Sequence, residues 1–206
     1  MKSLILPGKT PLPSAGWWIM LVLASAVGLA SFRYLAGEAM VPFPLKPNFH
    51  SHQLWFAIHI SLGTTALLVG PWQFLKALRR ARPVLHRALG VVYVSACTLG
   101  GLAGLVMAPG TNGGPVAAAG FGLLAVLWIY TTQMALVSVL RKDIAAHRRW
   151  MIRSFALTLA GVTLRLYLPL ALIHIQDFSR VYSVIAWACW VPNLLLGLWL
   201  TRKVVS

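Results

Sequence analysis

The sequence predicts an all-α membrane protein, a polytopic bundle of about six transmembrane helices with both termini in the cytoplasm. Three observations predict it. Hydrophobic residues fill 59% of the 206 positions and charged residues only 10%, where a soluble domain carries roughly 25% charged. The mean hydropathy is +0.77, and the apolar residues gather in runs of about 20, enough to cross a hydrocarbon core. The charges sit in the short segments between the runs, 18 Lys and Arg against 3 acids.

The elements follow in order. Residues 1–16 are Pro-rich, carry Lys2 and Lys9, and read as a cytoplasmic lead to one transmembrane domain over 17–206. The first apolar run lacks a small-residue cleavage site at its end, so no cleavable signal is expected. The first span covers 17–34, with Trp17 and Trp18 as interface anchors. Pro42, Pro44 and Pro47 predict an irregular external loop before the second span, 53–75. Arg79, Arg80, Arg82 and Arg87 then mark the cytoplasmic side. The third span covers 88–108, and the uncharged turn Pro109–Gly114 leads outside to the fourth, 116–140. Arg141, Lys142, Arg148 and Arg149 return the chain to the cytoplasm. The fifth span, 150–174, contains Pro169, which is expected to kink it or end its regular part. Gln176–Arg180 reads as an external turn, and Arg202 and Lys203 close the sixth span, 181–200. Every strongly basic loop then falls on one side. Gly100 and Gly104 lie one turn apart on one helix face, a packing signal that lets backbones approach closely.

A formal charge of +15 on a soluble protein would suggest nucleic acid. In short loops between spans it predicts topology and contact with anionic lipid headgroups on the cytoplasmic side, and no nucleic-acid partner. No Ser-His-Asp order, Walker loop, HExxH or CxxC is present, so no catalytic residue is assigned. Cys97 and Cys189 lie within apolar runs and read as small buried residues.

The histidines are the most informative residues. His50, His52, His59 and His174 fall toward the outside, while His86 and His147 fall at the cytoplasmic boundary. Two histidines on facing helices can ligate a b-type haem axially. The outer pair is His59 with His174, and the inner pair is His86 with His147. Arg87, Arg148, Arg149 and Arg153 are placed to neutralise haem propionates inside. If helical, the stretch from His147 to His174 spans roughly 40 Å, longer than the core, which argues against two haems in series. Alternatively His50, His52, His59 and His174 hold zinc or copper outside. Interfacial histidines also anchor headgroups or cap helix ends, which is the competing reading for the inner pair. Arg165, about 15 residues into the fifth span, is costly unless it finds a partner. It binds an anionic or quinone-like headgroup, or it ties helices through carbonyls, Gln133 or Asn193. Glu38 or Asp177 reaches it only if the outer mouth is open. Gln73 and Asn193 sit beside prolines and are expected to satisfy freed backbone.

The stretches GPWQFLKALR, LHRALGVVY, AHRRWMIRSFALTLAGVTLRLYLP and AWACWVPNLL resemble DUF2306, a family of bacterial membrane proteins of unknown function. The resemblance covers about 50–200. It implies a multi-span helical protein of the bacterial inner membrane. Its family-type positions are His86, Arg87, Gly90, Tyr93, His147, Arg148, Trp150, Arg153, Arg165 and Asn193. More loosely, the chain is similar to cytochrome b561-type bundles. The functional expectation is a membrane redox protein with a histidine-ligated haem b or metal near the outer face, exchanging electrons with quinone. The alternatives are a lipid-binding or complex-assembly protein, alone or as a homo-oligomer or with a membrane partner, and a small transporter.

Overall fold

The computed structural model describes residues 13–42, 45–174 and 178–202, apart from the side chains of 170–174. Most of the N-terminal lead, Gln176, Asp177 and Lys203 lie outside the described residues. All described regular structure is helical: α1 Ala15–Phe32, α2 Lys46–Ser51, α3 Gln53–Gln73, α4 Lys76–Ala81, α5 Pro83–Met107, α6 Gly114–Leu140, α7 Ile144–Thr158, α8 Ala160–His174, α9 Phe178–Ala188 and α10 Val191–Arg202. These compose six helical stretches long and apolar enough to cross a membrane, so the protein is a multi-pass membrane protein. α7 with α8 makes the fifth, and α9 with α10 the sixth.

Local chemistry sets the ends. Ser14 Oγ accepts the Trp17 N–H and caps α1. Pro83 opens α5, where its missing N–H costs nothing. The third span therefore begins ahead of Ala88, and His86 and Arg87 are helical. Between α6 and α7 the chain reverses in a short turn. Lys142 takes φ 62°, its N–H reaches Val139 O at 3.0 Å and the Asp143 N–H reaches Ser138 O at 2.9 Å. This is the Schellman pattern with a lysine in the usual glycine position. Asp143 Oδ1 then accepts the Ala146 N–H at 2.8 Å, so α7 starts early and carries His147, Arg148 and Arg149 on a helix.

α3 and α5 make the most extensive pair, followed by α6 with α7 and α5 with α6; α1 lies on α3, α9 on α6 and α10 on α7. Small residues permit the close contacts. A Cβ at Gly100 would stand 3.3 Å from Leu62 Cβ and 3.6 Å from the Gly63 nitrogen, and one at Gly120 would stand 3.0 Å from Ala186 O. A Cβ at Gly70 would run into the Phe155 ring. The outward faces stay apolar: Val22, Leu54, Val91, Val116, Val184 and Leu195 are all exposed. Lipid tails match such a surface, which in water would promote aggregation.

Buried hydroxyls tie α5, α6 and α7 at mid-depth. Tyr93 Oη lies 3.0 Å from Ser154 Oγ and 2.8 Å from Thr158 Oγ1. Thr132 Oγ1 lies 2.7 Å from Ser154 Oγ, and Trp128 Nε1 donates to Thr158 Oγ1 at 2.9 Å. Without water, each such group must find its partner inside the bundle.

Two spans are broken. The fifth is interrupted at Leu159, between α7 and α8, and runs on through Pro169. The regular part of the span therefore does not end at Pro169, and the break lies at Leu159 instead. At Leu159 the ladder switches register: the Val162 N–H bonds Leu159 O at 2.9 Å, the tighter spacing of a 3₁₀ turn. The sixth breaks at Cys189–Trp190. Asn193 Nδ2 joins the two breaks, donating to Thr163 Oγ1 at 2.9 Å and to Cys189 O at 3.1 Å. Gln73 behaves differently: its Nε2 is buried without a hydrogen-bond partner, while Trp17 Nε1 donates to Pro71 O at 2.9 Å.

The Gly70 contact gives a direct test. Gly70→Ala should destabilise the folded protein by about 1–3 kcal/mol through overpacking against Phe155. Gly63→Ala, whose Cβ meets nothing within 4 Å, should be close to neutral. Thermal unfolding in detergent compares the two, and equal effects would show that the Gly70–Phe155 contact sets no limit on packing.

Candidate functional site

A cavity of about 190 Å³ opens between α1, α3, α5, α6, α8 and α9, in the half of the bundle opposite the basic loops. Its lining is mostly apolar, including Phe56, Met107, Phe121 and Leu164. Its strongest polar groups are His59, Arg165, Tyr34 and Tyr182. Thr158 and Trp128, the near end of the hydroxyl network, form part of the wall. Both helix breaks also touch it, through Thr158 and Ala160 on one side and Cys189 on the other.

His59 is held by two glycines of α5. Its Nδ1 lies 2.8 Å from Gly100 O, and a Cβ on Gly104 would come within 3.1 Å of the ring. A carbonyl oxygen only accepts, so Nδ1 of the neutral ring carries the proton and Nε2 keeps its lone pair. The small-residue signal in the third span therefore has a specific use: it makes the notch that seats an imidazole. In the sequence these glycines signal packing and nothing more.

Arg165 enters from α8. Its Nη1 donates to Gly161 O at 2.8 Å, one turn back, and its guanidinium carbon lies 5.8 Å from the centroid of the Tyr34 ring. Its Nε is buried with no partner. Pro169 lacks the N–H that would bond Arg165 O, so this turn of helix is under-bonded beside the cavity. The expected polar partners are engaged elsewhere. Gln133 Nε2 donates to Thr98 Oγ1 at 2.7 Å, and Asn193 bonds Thr163. Glu38 pairs with Lys46 at 3.5 Å and His50 at 3.2 Å. Tyr34 carries no sequence signal, because an aromatic at the end of a first span reads as an interface anchor.

The other predicted ligands separate. His50 is exposed on Glu38, and His52 lies near the Ala108–Gly110 turn, where a Cβ on Gly110 would stand 3.6 Å from its Nε2. Neither lines the cavity with His59. Among the described residues, no group of three or more His, Cys, Asp or Glu is placed to hold a metal ion. The side chain of His174, the expected partner of His59, lies outside the described residues.

At the basic end, His86 and His147 come within electrostatic reach of each other. His147 Nδ1 lies 2.9 Å from Ala135 O, which again leaves Nε2 free. Of the arginines expected beside them, Arg87 and Arg148 are exposed and Arg149 is half-buried. Arg153 points to α10, reaching Thr201 Oγ1 at 3.4 Å, and stacks 4.6 Å over Trp150.

Six spans, an internal cavity with a few polar groups and a basic end define an integral membrane protein. A family model described as predicted membrane protein, DUF2306, matches residues 56–201, more than half of the chain. The chain belongs to the DUF2306 family. No curated protein and no solved structure matches it.

The seat of His59 makes a spectroscopic prediction. Nitrogen NMR of histidine-labelled protein should show a neutral His59 protonated on Nδ1. Gly104→Val should shift the ring and yield a mixed tautomer signal. An Nε2-protonated ring in the unaltered protein would contradict the assignment.

Proposed function

We propose that this chain is a redox protein of the bacterial inner membrane, with both termini cytoplasmic, that takes the headgroup of a quinone into the cavity between His59 and Arg165. One observation carries the reading. A mostly apolar cavity of about 190 Å³ is lined by His59, whose Nε2 lone pair is free, and by Arg165, whose Nη1 is held by Gly161 O and whose buried Nε has no hydrogen-bond partner. Ligand sites are typically apolar with a few convergent polar groups, and roughly 300–1,000 Å³ suits drug-sized molecules. The smaller volume suits a single substituted ring. Reduction of a quinone adds two electrons and two protons across its two carbonyls, and oxidation of the quinol reverses this. His59 Nε2 accepts one quinol O–H proton, Arg165 holds the other oxygen, and the proton from that oxygen leaves to bulk water. The electrons pass to or from a haem- or metal-bearing carrier.

A second reading rests on the same bond. A ring nitrogen fixed by Nδ1–H to a carbonyl, with Nε2 free, is the arrangement of an axial haem ligand. A haem b macrocycle needs more room than this cavity offers, and the described lining holds no second histidine beside His59. His59 with His174, and zinc or copper at the outer histidines, stay with this second reading.

A titration distinguishes them. Purified protein in detergent is mixed with short-chain benzoquinone and naphthoquinone, and quenching of tryptophan fluorescence is followed. Saturable quenching is expected, since Trp128 lines the cavity. Arg165→Leu should weaken it roughly tenfold to a hundredfold, the worth of a charge-assisted hydrogen bond, and His59→Gln roughly twofold to tenfold, that of a neutral one. Binding unchanged in both variants overturns the quinone site. A Soret band that shifts on reduction and vanishes in His59→Gln would instead establish haem.

A further inference from the structure

The basic end carries a second polar cluster that the cavity does not use. Gln73 closes α3, is only 7% exposed, and has a buried Nε2 without a hydrogen-bond partner. Its Oε1 lies 3.4 Å from where a Cβ on Gly90 would stand. His86 precedes Gly90 by one turn on the same face of α5, and its Nδ1 is also buried without a partner. Arg79 of α4 and His147 of α7 both lie within electrostatic reach of His86, and Arg148 lies within reach of Arg79. Four helices, α3, α4, α5 and α7, therefore converge with donors and positive charge.

Among the described residues, no acid of the chain neutralises this convergence. Both ion pairs found among them use Glu38, at the opposite end. Asp143, the acid at this end, spends Oδ1 on the Ala146 N–H as a helix cap. Partial burial pushes the Arg79 guanidinium below its ordinary value, and the neighbouring charges of Arg148 and Arg80 add to the shift. Arginines held close together without an acid are the arrangement that phosphate oxygens satisfy. His147 stands beside the set, its Nδ1 bonded to Ala135 O at 2.9 Å, and offers a phosphate an Nε2–H donor in its doubly protonated form. Val84, Leu85, Leu140 and Ile144 are exposed and apolar around the cluster, so the site opens at the level where lipid headgroups meet tails.

We propose that Gln73, Arg79, His86, His147 and Arg148 form a binding site for a phosphate group at the basic end of the bundle. The position favours the phosphate of an anionic phospholipid; a soluble phosphate shares the chemistry. The site stands at the opposite end from the cavity and does not depend on the quinone reading.

The test uses the full chain in detergent and native mass spectrometry. The probes are phosphatidylglycerol, phosphatidylcholine and inorganic phosphate. Retention of phosphatidylglycerol over phosphatidylcholine is expected. In the double variant Arg79→Gln/Arg148→Gln it should fall at least about tenfold. The charge-matched Arg82→Gln/Arg141→Gln should change it little. Retention of inorganic phosphate alone, lost in the first variant only, keeps the site and assigns a soluble ligand. No retention of any probe, or equal loss in both double variants, overturns it. If Arg79→Gln/Arg148→Gln fails to fold, His86→Gln with His147→Gln makes the same comparison.

Discussion

The close approach of α3 and α5 is the contact on which the rest of the site depends. Lipid tails are as apolar as leucine side chains, so hydrophobicity alone does not press two helices together in a bilayer. Contact must come from shape and from hydrogen bonds. Gly100 supplies the shape, allowing α5 to come within van der Waals distance of Leu62 and the α3 backbone. His59 supplies the hydrogen bond, crossing from α3 to Gly100 O on α5. The same two features that pack the pair also fix the ring tautomer. A bulkier residue at position 104 would strike the ring, so packing and chemistry are set by one surface.

The span count was legible in the sequence because it rests on local composition. A run of about 20 apolar residues has few alternatives to a spanning helix. The ionisable residues within the runs were legible for a related reason: His59 and Arg165 are expensive in hydrocarbon and had to face inward. Both line the cavity. What faces them was not legible. Tyr34 shares no local sequence pattern with Arg165, and the two meet because α1 packs against both α3 and α8. The pairing of His50 with Glu38 likewise depends on how the loop before α3 folds back.

The hydroxyl network was hidden for a different reason. Thr132, Ser154 and Thr158 are ordinary small polar residues in apolar runs, and any of them could bond its own helix backbone. Thr132 does, donating to Trp128 O at 2.7 Å, and Thr158 Oγ1 reaches Ser154 O at 3.1 Å. Only the arrangement of α5, α6 and α7 turns them into one connected set around Tyr93. The family-type pattern did mark Tyr93, and the structure gives that position a physical reason: its ring packs against Phe155 and its hydroxyl joins two turns of α7.

The two broken spans complete the logic of the cavity. A continuous helix bonds all of its own carbonyls and offers a ligand only side chains. Breaks at Leu159 and at Cys189–Trp190 interrupt two helices where they border the cavity. Each break frees backbone groups that hydrocarbon would penalise, and non-helical backbone at this depth is tolerated where protein or a cavity surrounds it. Asn193 meets that need at Cys189 O, and its second bond, to the Thr163 hydroxyl that itself donates to Leu159 O, ties this break to the other. The amide is therefore a cross-brace between the fifth and sixth spans. Those two spans depart most from regular helix, and each gives the cavity part of its wall. The Arg165 guanidinium enters from α8, the helix that begins where the first of those departures ends, so the break that loosens the fifth span also sets the direction from which its charge arrives.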